Sequence, residues 1–138
     1  MQIRSFVNKA IGIILLLSLI GLIIACEHEQ PTGLGLTPTL SSIQANIFTP
    51  RCVNQGCHPG GGAPMSLASG VARGNLVGVN SAYGRPRVAT GNANNSALYL
   101  KVIGAAGVGS RMPLGLPPLS NDETNVIRDW INAGAQNN

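Results

Sequence analysis

Residues 51–60, Arg51-Cys52-Val53-Asn54-Gln55-Gly56-Cys57-His58-Pro59-Gly60, constrain this chain more than any other stretch. They hold two of the three cysteines and one of the two histidines, and Cys57 and His58 are adjacent. Pro50 precedes them, and Pro59-Gly60-Gly61-Gly62-Ala63-Pro64-Met65 follows. That run fits neither a helix nor a strand interior, because proline lacks an N–H and glycine holds no single backbone conformation. Two cysteines beside such a connection ask for a bonding partner. The rest of the composition gives the same prompt. With 18 glycines and only one Trp, two Tyr and two Phe in 138 residues, the core is thin. Small domains with thin cores usually rely on a staple, a metal or a cofactor. A chain that is simply rich in loops has the same glycine content, so composition alone leaves the choice open.

Three bonding schemes compete. A disulfide from Cys52 to Cys57 is ordinary chemistry in an oxidising compartment. A zinc site would have only three clustered candidate ligands, one short of the usual closed set. Covalent haem attachment uses two thiols and an adjacent imidazole, usually spaced C-x-x-C-H. Here the spacing is C-x-x-x-x-C-H, two residues longer. The pair by itself leaves haem and disulfide open.

The N-terminus narrows the compartment. Arg4 and Lys9 begin it, and the apolar run AIGIILLLSLIGLIIA follows from Ala10 to Ala25. The run is slightly short for a membrane span and is interrupted by Gly12, Ser18 and Gly21. Its end, Ile23-Ile24-Ala25-Cys26, is similar to a bacterial lipoprotein lipobox. That resemblance implies cleavage of residues 1–25, lipid attachment on Cys26 and a stable anchor through several acyl chains. It places the remainder in the bacterial cell envelope, facing the periplasm. Glu27 rather than Asp after the cysteine slightly favours the outer membrane. The other reading is an uncleaved signal anchor with an idle Cys26, also outside the cytoplasm. Residues 26–39 read as a flexible tether, with His28 a solvated tail residue. Removal of Arg4 and Lys9 leaves seven basic against five acidic residues, or +2, and no basic run. Nucleic acid is not an expected partner.

Residues 40–138 are expected to form one domain. Ser41-Ser42-Ile43-Gln44 has the form of a capping box, and Leu40, Ile43 and Ile47 share a helical face. A helix over 42–48 is predicted, stopped by Pro50. A short helix or turn is expected within 69–79, closing on Leu76 and Val77. Residues 80–95 read as a loop. The pattern predicts a helix over 96–103 with Leu98, Tyr99, Val102 and Ile103 on one face and Gly104 as its stop. A Gly/Pro loop carrying Met112 follows to Pro118. Ser120-Asn121-Asp122-Glu123 is a second capping box, and Val126, Ile127, Trp130 and Ile131 form the apolar face of the last helix, with Gly134 at its end. The acidic side chains of this helix are explained by solvation and the helix dipole.

The Cys-His motif, Arg111-Met112-Pro113 and the segment from Leu119 through Trp130 to Ala135 together resemble bacterial c-type cytochromes of the small monohaem kind. The resemblance spans roughly residues 40–135. It implies an all-α, cytochrome c-like helical domain with long Gly/Pro-rich loops and one covalent haem c. In it, Cys52 and Cys57 make the thioether bonds, His58 is the proximal ligand and Met112 the distal one. Imidazole with a thioether suits low-spin iron and raises its potential. Met65 is the rival thioether, seven residues from His58, within about 23 Å of extended chain. Arg85, Arg87 and Arg111 are candidates for pairing with the propionates. Iron with both axial positions filled has no open site, so the resemblance implies a single-electron carrier between envelope redox partners and not an enzyme. No G-x-S-x-G is present, and with His58 on iron no free base remains. Two alternatives stand beside this reading. One is a haem-free envelope lipoprotein stapled by Cys52–Cys57, acting as a structural or binding module. The other is a haem domain with an open site, acting as a sensor or small peroxidase.

Overall fold

The structure is a computed structural model, describing residues 35–60 and 64–138. The expected signal segment, Cys26 and His28 lie outside the described residues. Within the described residues the secondary structure is helical, without strands, which agrees with an all-α class. Helix α1 (Leu40–Ile43) runs on into a π-helical segment (Gln44–Val53). Helix α2 is Ala72–Leu76, α3 is Ala97–Ile103 and α4 is Asn121–Asn132, with one 3-10 turn at Ala93–Asn95. Two isolated bridges, Val77 with Val88 and Asn80 with Pro86, tie the loop between α2 and α3 together.

The start of α1 differs from the expected capping box. Thr39 is the cap, its Oγ1 accepting from the Ser42 N–H at 3.3 Å. Gln44 does not reach back. Its amide donates instead to Thr49 Oγ1 and to the Leu67 carbonyl, both at 3.0 Å. The C-terminal residue supplies the remaining acceptors. Asn138 takes the Leu40 N–H on its side chain and the Ser41 N–H on its backbone carbonyl. Free N–H groups at a helix start need such partners.

The predicted stop at Pro50 does not occur. The helix winds through it to Val53, and the Asn54 N–H still donates to the Thr49 carbonyl at 2.9 Å. Proline ends an α-helix because its ring meets the carbonyl four residues back. In the wider i→i+5 winding the missing N–H belongs to a bond with residue 45, and that steric conflict is relieved. Cys52 is thereby carried on the last turn of the helix.

Helix α3 ends at Gly104, whose φ of 73° lets its N–H reach the Leu100 and Lys101 carbonyls. Leu98 and Val102 are buried as expected, but Ile103 is 44% exposed. The α3 stripe is narrower than the pattern implies, with Ile103 standing outside it. Ser96 is wholly buried, its Oγ accepting from the Ala89 N–H and donating to the Asn92 carbonyl. This fastens the 3-10 turn to the preceding loop.

Helix α4 matches its prediction closely. Ser120 Oγ accepts from the Glu123 N–H at 3.2 Å, and Glu123 Oε2 accepts from the Ser120 N–H at 2.7 Å. Val126, Ile127, Trp130 and Ile131 are all buried, and they meet Ile43, Ile47 and Phe48 of the first helix and Leu98 and Val102 of α3 in one core. The Trp130 indole donates to the Gln136 carbonyl at 2.9 Å, so the largest core residue is hydrogen-bonded as well as packed. No helix among the described residues is long and apolar enough to cross a membrane.

Loss of the capping box should be measurable in isolation. Ser120→Ala is expected to lower unfolding stability by about 1 kcal/mol in urea denaturation.

Candidate functional site

The Cys-His segment is a closed loop with its own hydrogen bonds. The Gly56 N–H donates to the Val53 carbonyl at 2.9 Å, and the His58 N–H donates to the Cys52 carbonyl at 2.9 Å. Gly56 takes a φ of 75°, a conformation in which a side chain would be strained. The two residues beyond the usual spacing are absorbed in this turn, and the ends of the motif stay bonded to each other. The Leu67 N–H then donates to the His58 carbonyl, bringing the chain after the glycine run back beside the histidine.

His58 is oriented by its neighbour. Its Nδ1 lies 3.0 Å from the Met65 carbonyl oxygen. A carbonyl only accepts, so Nδ1 carries the proton, and in the neutral ring Nε2 keeps a free lone pair. A backbone carbonyl on one ring nitrogen is the usual way a histidine is prepared for ligation through the other.

Cys52, Cys57, His58, Met65 and Met112 all line one cavity of about 590 Å³. Its walls come from the core side of the molecule, including Phe48, Leu98, Val102 and Ile127. The volume lies within the range of about 300–1,000 Å³ usual for small-molecule and cofactor sites. Exposed Cys57, Pro64 and Leu114 stand among the lining residues, Leu114 with 60% of its surface free. Met112 reaches the cavity from the α3–α4 loop, its N–H donating to the Lys101 carbonyl at 2.9 Å. Met65 reaches it from the His58 side, where its carbonyl holds the ring.

The two thiols differ. Neither is joined to another cysteine. Cys57 is exposed, its Sγ 3.6 Å from the Gln55 carbonyl. Cys52 is partly buried against the core, and that burial pushes its thiol up to about 11, with the Arg51 guanidinium pulling partly the other way. Cys52 is therefore a neutral thiol at physiological pH and a poor thiolate nucleophile.

Among the candidate cations, Arg87 lines the cavity, and its guanidinium donates to the Asn75 and Pro64 carbonyls. Arg85 and Arg111 are not in the lining. Arg51 and Lys101, to which no role was assigned from sequence, are. Arg51 Nη1 sits 3.8 Å from Glu123 Oε1, and Nη2 donates to the Pro117 carbonyl at 3.0 Å. Glu123, expected to be a solvated helix-start residue, is only 8% exposed. Its two oxygens serve the capping box and Arg51. Tyr83 also lines the cavity, beneath the Lys101 ammonium at 4.9 Å from the ring centre. Trp130 and Tyr99 do not line it. Among the described residues no three His, Cys, Asp or Glu side chains converge as a metal cage.

The donor set on this cavity combines two thiols, one imidazole and two thioethers, which are the residue types that a covalently attached, metal-bearing apolar group would need. Two free thiols, an imidazole with Nε2 available and both thioethers meet one apolar wall, with guanidinium and ammonium groups among them. Comparisons with protein-family models, with curated proteins and with solved structures found no match to this chain.

The thiol asymmetry predicts a reactivity order in protein whose thiols are both unmodified. At pH 8, iodoacetamide should modify Cys57 first and Cys52 at least about tenfold more slowly. A thiol raised from 9.0 to about 11 has roughly a hundredfold less thiolate available. The gap should narrow as the pH approaches 11 and close in denaturant, as read by peptide mass spectrometry.

Proposed function

We propose that this protein is a monohaem c-type electron carrier, tethered by a lipid on Cys26 in the bacterial envelope. The observation that carries the reading is the meeting of Cys52, Cys57, His58 and Met112 on one apolar cavity of about 590 Å³, from segments far apart in sequence. Cys52 and Cys57 would hold the haem covalently, and His58 and Met112 would supply nitrogen and sulfur to its iron. The bound group would supply a one-electron iron couple.

The protein's own residues account for the rest. The Met65 carbonyl fixes the tautomer and plane of His58 and leaves Nε2 to face a ligand. The core side chains on the cavity wall keep the surroundings apolar, which favours a raised potential for imidazole–thioether iron. Arg87, Arg51 and Lys101 place positive charge beside that wall. Exposed Cys57, Pro64 and Leu114 leave part of the lining at the surface, where a redox partner can approach.

Expression of the full chain with cytochrome maturation proteins tests the proposal. A Soret band and a haem stain that survive denaturing electrophoresis are expected, and Cys52→Ser combined with Cys57→Ser should abolish the stain. Met112→Ala should keep the stain but change the spin state. Good yields of folded protein without haem would overturn the reading.

A further inference from the structure

The loop that presents Met112, from Gly104 to Leu119, has little means of holding its own shape. Gly104, Gly107, Gly109 and Gly115 all take positive φ, and Pro113, Pro117 and Pro118 offer no N–H. Its carbonyls are instead taken up by two cations from outside it. Lys101, in the last turn of α3, donates its ammonium to the Val108 carbonyl at 2.8 Å and the Ser110 carbonyl at 3.2 Å. The backbone carbonyl of the same residue receives the Met112 N–H. Its ammonium also lies over the Tyr83 ring, whose hydroxyl would stand 3.1 Å from a Cβ placed on Gly109. At the other end, Arg51 donates to the Pro117 and Pro118 carbonyls at 3.0 and 3.4 Å and faces Glu123. Arg51 is the residue before Cys52, so this second contact joins the Met112 loop directly to the Cys-His segment.

We infer that Lys101 and Arg51 are positioning residues for Met112. Lys101 shapes the near half of the loop and Arg51 pins its far end to the segment that carries Cys52 and His58. The pinning itself is a property of the protein alone, whereas its purpose, holding a thioether at the cavity that His58 also lines, rests on the haem reading above. Charge-assisted hydrogen bonds to carbonyls are about twice as strong as neutral ones and fix direction as well as distance. Two of them at each end suit a loop that must keep one side chain in place while making few bonds of its own. Among the described residues Lys101 has no carboxylate within ion-pairing distance, so its bonds go to the loop.

The test uses the full chain, prepared with and without cytochrome maturation proteins, as wild type, Lys101→Met and Arg51→Gln. Hydrogen exchange read by mass spectrometry should quicken about tenfold or more across 104–119 in both variants, while α4 stays protected as in wild type. In the haem-bearing preparation, Lys101→Met should also weaken the absorption band of the iron–thioether bond, and Lys101→Arg should restore part of it. Unchanged loop exchange in both variants would overturn the pinning. A quicker loop with an unaltered thioether band would overturn the positioning of Met112. A chain that folds but never takes up haem would overturn the functional reading, and exchange on that same chain would still decide the pinning. Should Lys101→Met unfold the domain, seen as lost α4 protection, the comparison is repeated with Lys101→Gln against Lys101→Arg.

Discussion

The apolar side chains that hold this domain together also form the wall of its cavity. Ile47, Phe48, Leu98, Val102 and Ile127 belong to the buried core and to the cavity lining alike. The helices cannot shift relative to one another without reshaping the site, and the site cannot change shape without loosening the helices. In a chain with so few large side chains this sharing is a consequence of scarcity. There is not enough apolar volume to build a core and a separate pocket. Stability and site geometry are therefore one packing problem, solved mainly by α4 lying against the first helix and α3.

The polar bonding follows the same economy, with backbone carbonyls serving as the acceptors around the cavity. The Met65 carbonyl orients His58, the Cys52 carbonyl closes the motif loop, and the carbonyls of the Met112 loop receive Lys101 and Arg51. Among the described residues the single buried carboxylate, Glu123, is used twice, once to start α4 and once to meet Arg51. Long Gly/Pro connections supply many carbonyls that no helix consumes, and Arg51, Arg87 and Lys101 bond to carbonyls of this kind.

This bonding explains what was legible in the sequence. Helix α4 was readable because its capping box and its four apolar residues at helical spacing are local patterns, and Gly104 was readable as a stop for the same reason. The cap of the first helix was misplaced, because Thr39, Ser41 and Ser42 are all capable residues and the docking of Asn138 accompanies the start at Thr39. The passage of the helix through Pro50 had no local signal at all. A π-helical winding is selected by tertiary packing, and proline ordinarily argues for the opposite. The candidate residues Cys52, Cys57, His58 and Met112 were named from motif and loop position, and their meeting on one cavity follows from helix packing. Arg51, Lys101 and the Met65 carbonyl were missed because a bond to a backbone carbonyl requires no particular residue on the accepting side. Such a contact has no sequence signature.

The choice of partner for Lys101 has a consequence for acidity. A loop held by carboxylates loosens as protons arrive, since each protonated acid releases its cation. The carbonyls of Val108 and Ser110, and the face of the Tyr83 ring, have no proton to gain in that range. The near half of the Met112 loop is thus held by acceptors that acid does not remove, and Arg51 grips the far end through the same kind of acceptor, the Pro117 and Pro118 carbonyls. Both ends of the loop are therefore fastened through acceptors that no change of acidity can take away.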